Sequence, residues 1–263
     1  MSFHPFGFSQ AQQAQLGWRS WLPAIPLRPW LECYYLLRPQ SGPQLHRMYP
    51  DGGTTLTLPL QQGSIQVCSL SYHTPQSRPA WQPGECLGIR FTPGGFYALF
   101  GFSMQELGQQ SSAWLTKEPV FATLCAQLAE STPHYASALD HFFLQQLQRR
   151  APQSGAVQLW RQAGLQAQQD IRSLLQQQGV GRRTLERQFQ LQVGVSPGQF
   201  YQWQRLKRAR YLLRSCPEQN LTDIAVGLGY YDQAHFVHQF RQYSGQSPGQ
   251  YRQRKLSQLY KAG

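Results

Sequence analysis

The sequence predicts an α+β protein in two parts. A mixed-β N-terminal domain precedes an all-α C-terminal domain built from two helix-turn-helix units joined by a long helix. Three observations lead there. Residues 31–91 carry short runs rich in Thr, aromatic and branched residues between Gly, Pro and Asp breaks, the pattern of strands in an antiparallel sheet or small barrel. Residues 174–197 and 224–248 repeat one another across helix, turn, helix and cap, which chance rarely supplies. Charge also divides unevenly: residues 1–150 hold 9 Lys+Arg against 7 Asp+Glu, while 151–263 hold 15 against 5, a net of +10.

Residues 1–30 show no sustained period, and Trp18, Trp21 and Trp30 are expected to pack onto the domain that follows. Strands are read at LECYYLL, LHRMYP, TTLTLPL, SIQVCSLSY and CLGIRF, with a turn at Asp51–Gly53 and a breaker, TPGG, at 92–95. The pattern then becomes helical. Phe96–Phe102 is a short apolar stretch, and Val120–Ala129 places Leu124, Cys125 and Leu128 on one face. Tyr135–Arg150 turns Leu139, Phe142, Phe143 and Leu147 inward and ends on two arginines, which suit a helix C-terminus. APQSGA, 151–156, is the expected linker between a domain at 1–150 and another at 157–263, whose first helix is read at Val157–Ala167.

In the C-terminal part, Thr222 is the expected N-cap of a helix carrying Ile224, Ala225 and Leu228, which Gly229 ends. A second helix from about Asp232 buries Phe236, Val237 and Phe240 and leaves Gln233, His235, His238, Gln239 and Arg241 outside. Upstream, Leu174, Leu175, Gly179, Leu185, Phe189, Ser196 and Pro197 match Ile224, Ala225, Gly229, Phe236, Phe240, Ser247 and Pro248 in order. The upstream outer helix, from about Arg182 to Gln190, buries Leu185 and Phe189 and exposes Arg183, Thr184, Arg187 and Gln188, with Glu186 beside them. Between the units, Pro197 starts a helix reaching about Leu213, whose stripe is Phe200, Trp203, Leu206, Ala209 and Leu213. Arg205, Lys207, Arg208 and Arg210 are expected outside it.

IAVGLGYYDQAHFVHQFRQYSGQSPGQYR (224–252) resembles the second helix-turn-helix of the AraC-type (AraC/XylS) transcriptional regulators, and GVGRRTLERQFQLQVGVSPGQF (179–200) the first. The first half departs from the family pattern at Leu175, Gln178 and Gly181. Residues 31–107 resemble a sensory domain of unknown function found ahead of some such modules, through PWLECYYLL, YPDGGTTLTL and GIRFTPGGFYALF. The resemblance implies sequence-specific binding of double-stranded DNA in the cytoplasm, at the nucleoid, by an activator-type regulator. It also implies a cupin-like sheet that takes a small-molecule effector or forms a homodimer, with RNA polymerase as a further partner. It assigns base contacts to Arg183, Glu186 and Arg187 in the first unit and to Gln233, Ala234 and His238 in the second. Arg182, Thr184, His235, Gln239 and Arg241 complete the expected DNA face. Arg grips guanine with two parallel bonds, Glu accepts from cytosine, and Ala offers only an apolar contact such as a thymine methyl. Asp51 and Arg90 are the candidate anchors for a ligand.

Other chemistries find less support. Five cysteines, none at C-x-x-C spacing, do not form a disulfide framework. MSFHPFGFSQ is not a signal peptide, and no apolar run approaches the ~20 residues of a membrane helix, so a soluble intracellular protein is expected. His235 with His238, or His46, His73, Cys68 and Cys86, could hold part of a metal site, but no ligand motif completes either set, and no cofactor is expected. No Walker or dinucleotide pattern appears, so the chain is not expected to be an enzyme. The alternative is an enzyme of the DNA-alkylation-repair type fused to the same helices, which uses a cysteine cluster that this chain lacks.

Overall fold

The computed structural model describes residues 13–14, 16–38, 49–61, 64–65, 69–72, 84–107, 112–131, 133–150 and 181–260. Among these, six strands form one antiparallel sheet: β1 (Arg19–Trp21), β2 (Leu31–Leu37), β3 (Thr54–Gln61), β4 (Ser64–Ile65), β5 (Ser69–Tyr72) and β6 (Cys86–Phe91). Their order is β1-β2-β6-β3-β4, with β5 also paired to β3. Period-2 alternation sends Tyr34 and Leu36 to one face of β2, and Cys33, Tyr35 and Leu37 to the other. Both faces are covered, so β2 is buried at all but one position and β6 along its whole length. Gly88 stands opposite Tyr35, and a Cβ there would land in the Tyr35 ring. The fold class agrees with the sequence; a cupin-like closure is not established. β1 was not foreseen, being three residues long and held only as an edge strand. LHRMYP yields no strand among its described residues, Tyr49 and Pro50.

Helices α1 (Gly95–Phe100), α2 (Met104–Leu107), α3 (Pro119–Glu130) and α4 (Tyr135–Arg150) follow. Phe91, Phe96, Phe100, Phe121 and Phe143 pack mostly edge-to-face or tilted between sheet and helices. Each such ring contributes about 1.5–3 kcal/mol by leaving water. Trp18 stacks on Tyr35 with ring centroids 4.6 Å apart, and Trp30 is buried, as expected of the N-terminal tryptophans. Among the described residues no helix is long and apolar enough to cross a membrane. The expected linker, the 157–167 helix, Leu174, Leu175, Gln178 and Gly179 lie outside the described residues, as do His46, His73 and Cys68.

The C-terminal part comprises α5 (Arg182–Val193), α6 (Pro197–Ser215), α7 (Leu221–Gly227), α8 (Gln233–Ser244) and α9 (Pro248–Tyr260). All five residues of the foreseen α6 stripe are buried. Three of the cationic positions foreseen outside it are not: Arg210 is 4% exposed, and Arg205 and Lys207 are half-buried. Arg208 alone is exposed. The cause is cover from outside the helix, by the Asp51 carboxylate for Lys207 and by aromatic rings for the two arginines. Arg210 lies 3.7 Å over the Tyr49 ring and its Nε donates to the Tyr251 hydroxyl, while Arg205 lies 3.8 Å over Tyr230. Flanking tyrosines hold the buried Arg210 guanidinium charged: burial opposes the charge, but Tyr251, Tyr243 and Tyr49 outweigh it.

Candidate nucleic-acid interface

α5 and α8 occupy corresponding places in the two repeats, and each is anchored by two buried residues four apart. Leu185 and Phe189 anchor α5; Phe236 and Phe240 anchor α8. Each ends on a glycine in the left-handed region, Gly194 at φ 81° and Gly245 at φ 71°. The anchors turn the opposite faces outward. On α5, Arg182, Arg183, Thr184 and Arg187 are exposed and Glu186 is half-buried. Arg182 Nε pairs with Glu186 Oε1 at 2.9 Å, an open i,i+4 pair worth little for stability. Gln188 is turned along the helix, where its Oε1 accepts from Gln192 Nε2 at 2.7 Å. Gly181 gives α5 no side-chain cap.

On α8, Gln233, Ala234, His235, His238 and Arg241 are exposed and Gln239 is half-buried. Asp232 caps the helix, its carboxylate accepting from His235 N at 2.7 Å. The preceding α7 is capped by Asn220 instead of the expected Thr222. Both residues suit a cap, but the Thr222 hydroxyl donates to Gln233 Oε1 at 2.7 Å and so orients that side chain. Gly229, at φ 72°, closes α7 in a Schellman turn: its N–H donates to Val226 O, and Tyr230 N–H to Ala225 O. His235 and His238 share hydrogen bonds with Gln239 and Gln242, four residues on. No group of three metal-ligating side chains occurs among the described residues.

Two features of this face escaped the sequence reading. Tyr231, 92% exposed, stands just before the Asp232 cap at the mouth of α8. The YY pair alone does not say which ring is buried. Arg205 stacks on Tyr230, whose ring meets His235 edge-on at 5.6 Å, so α6 braces the start of α8. Burial pushes the Tyr230 phenol up to about 12, although Arg205 pulls the other way. Elsewhere, Asp51 and Arg90 are buried and paired with each other. Burial followed by Glu32 pushes the Cys33 thiol up to about 12, which leaves it a poor nucleophile. Cys86 is buried on β6.

Residues 174–254 match a helix-turn-helix domain, and residues 19–113 match a domain of unknown function, DUF6597. The chain is 38% identical over 82 residues to an uncharacterized HTH-type transcriptional regulator of Haemophilus influenzae, covering 31% of this chain and 27% of that one. It is 40% identical over 81 residues to the HTH-type transcriptional activator RhaS of Escherichia coli, covering 31% and 29%. The chain thus spans less than a third of the length of these relatives. Among solved structures, the DNA-binding domain of AdpA in complex with a target DNA is 26% identical, with TM-score 0.35, covering 39% of this chain and 94% of that one. An AraC-type regulator of Chromobacterium violaceum is 28% identical, with TM-score 0.35, covering 39% and 89%. This chain carries an AraC-type helix-turn-helix domain behind a β-rich domain of a family whose function is unknown.

Proposed function

We propose that this protein is a sequence-specific, DNA-binding transcription regulator whose two helices α5 and α8 read two successive major-groove segments. The observation that carries the reading is the pair itself. Two helices with buried apolar anchors and exposed Arg, Gln and His faces flank a spacer, α6, of 19 residues. That spacer is ~28 Å long, and with the flanking turns it suits recognition helices about 34 Å apart, one turn of the duplex. Arg183, Arg187 and Glu186 read bases in the first unit, and Gln233, Ala234 and His238 in the second. Arg182, Thr184, His235, Gln239 and Arg241 hold the backbone or flank the reading residues. The domain division at 151–156, the cytoplasmic nucleoid location, the effector, RNA polymerase and homodimer partners, and the absence of catalysis belong to the same reading. It is supported by the named functions of the relatives. The β-domain supplies sensing or dimerisation.

The test is a titration of the full chain on duplex DNA across salt. Phosphate contacts release counterions, so affinity should fall steeply and linearly in log–log form. Binding that ignores salt, or no binding to duplex at 50–100 mM salt (roughly the range where such contacts dominate), overturns the reading.

A further inference from the structure

The loop Tyr49–Gly53, read in the sequence only as a turn, is built into the helical domain. Tyr49 belongs to the same buried cluster as Trp203, Leu206, Phe236, Phe240 and Tyr251. Its ring stacks on Tyr243 at 5.7 Å and carries Arg210 on its face, and its hydroxyl accepts from Arg254 Nη2 at 3.1 Å. Tyr243 donates to Pro50 O at 2.8 Å. Gln204 Nε2 donates to Asp51 O at 2.9 Å, and Lys207 Nζ meets Asp51 Oδ2 at 3.3 Å. The other carboxylate oxygen of Asp51 takes Arg90 of β6 and the Gly53 amide. Gly52 has φ 82°, and a Cβ there would lie 2.6 Å from the Phe200 ring and 3.1 Å from Val193.

One loop of the β-domain therefore touches α5 through Val193, α6 through four side chains, α8 through Tyr243, and α9 through Tyr251 and Arg254. These are the two proposed reading helices, the spacer between them and the helix that closes the second unit. Arg90 in turn is seated in the sheet, paired across β2 and β3 and bonded to the Thr55 hydroxyl and Glu32. We propose that the Tyr49–Gly53 loop is an intramolecular clamp, with Asp51 as its hub, that fixes the relative placement of α5 and α8 and delivers any rearrangement of the sheet to them. The clamp deepens the DNA-reading proposal and rests on it for its consequence, though not for its existence. A rearrangement that moves Arg90 moves Asp51, and Asp51 is bonded directly to the spacer helix. This gives the β-domain a route to the DNA face that does not run through residues 151–180.

The experiment uses the full chain with Lys207→Met and Tyr243→Phe together, changes that leave the outward faces of α5 and α8 untouched, and Lys207→Arg as the conservative control. Calorimetry and amide exchange are read first. Wild type and Lys207→Arg unfold in one transition, whereas the double variant separates into two, with exchange at 197–215 and 233–244 at least ten-fold faster. A single transition at the wild-type temperature with unchanged exchange overturns the clamp. Binding to a duplex selected by the wild type is read second. The double variant loses five-fold or more in affinity because the two helices are no longer held in register, and an unchanged or tighter Kd overturns the claim that the clamp acts on reading. The calorimetric arm decides the clamp even where the wild type itself fails to bind DNA, so the two proposals fall separately.

Discussion

At the residue scale, exposure separates reading from holding. Arg183 and Arg187 lie four apart on the open face of α5 and can enter one groove together, whereas Arg208 is exposed on the spacer with its guanidinium 5.0 Å from the Tyr211 ring centroid. Arg187→Ala should cost about 1–3 kcal/mol on the selected site and relax preference at one base pair. Arg208→Ala should weaken selected and scrambled duplexes equally or not at all, and paired titrations at matched salt check both. Lys255 supplies a pH handle. Burial, then Arg254, Arg210 and Arg214, lower its pKa from 10.5 to about 8. Between those values the unfolded chain binds the extra proton, so the Lys255 contribution to stability should rise with pH through that window and be lowest below it. Above pH 9.0 the raised Cys33 thiol works the other way, so the rise is read as the difference between thermal melts of wild type and Lys255→Met, in which Cys33 cancels. The outward faces of α5 and α8 were legible because burying Leu185, Phe189, Phe236 and Phe240 fixes what lies opposite. The buried state of Arg210 was not, because its cover, Tyr49, is remote in sequence.

At the element scale, glycines in the left-handed region differ in what they tolerate. Gly229 has φ 72° but open space, its nearest neighbour being Arg205 Nη2 at 3.9 Å from a built Cβ. Gly229→Ala should therefore cost only the left-handed strain, roughly 1–2 kcal/mol. Gly52→Ala adds a clash with Phe200 to similar strain and should cost more, a ranking that denaturant melts of both variants can check. Asp51→Ala leaves Arg90 buried without its main partner, and should destabilise by about 3–5 kcal/mol. Helix ends were readable to within a residue or two wherever a cap was unambiguous, as at Ser196–Pro197 and Asp232. At Asn220 and Thr222 two good caps compete, and the winner depends on Gln233, one helix away. Strand β1 lacked any period to betray it, since three residues pair only through their backbone.

At the scale of the whole molecule, the two domains share a core residue. A fragment of residues 155–263 lacks Tyr49, which leaves Arg210 without its aromatic face and Tyr243 without its acceptor. Such a fragment should melt below the helical domain of the full chain and bind DNA less selectively, although its charge still gives salt-sensitive attraction. Comparing melts of the two proteins checks this. The two-unit design was legible through the repeat, which records the same burial problem solved twice. The contact of the Tyr49–Gly53 loop with the helical domain was not, because Gln204, Lys207 and Tyr243 reach it from more than 150 residues away. On the proposed reading, α5 and α8 read one duplex at two successive grooves. Hydroxyl-radical footprinting of the full chain on a duplex selected from a random library tests it most directly. Two protected patches should lie on one face, ~10 base pairs apart, with Arg187→Ala fading one and Gln233→Ala with His238→Ala fading the other. A single patch that both sets of variants weaken together would contradict it.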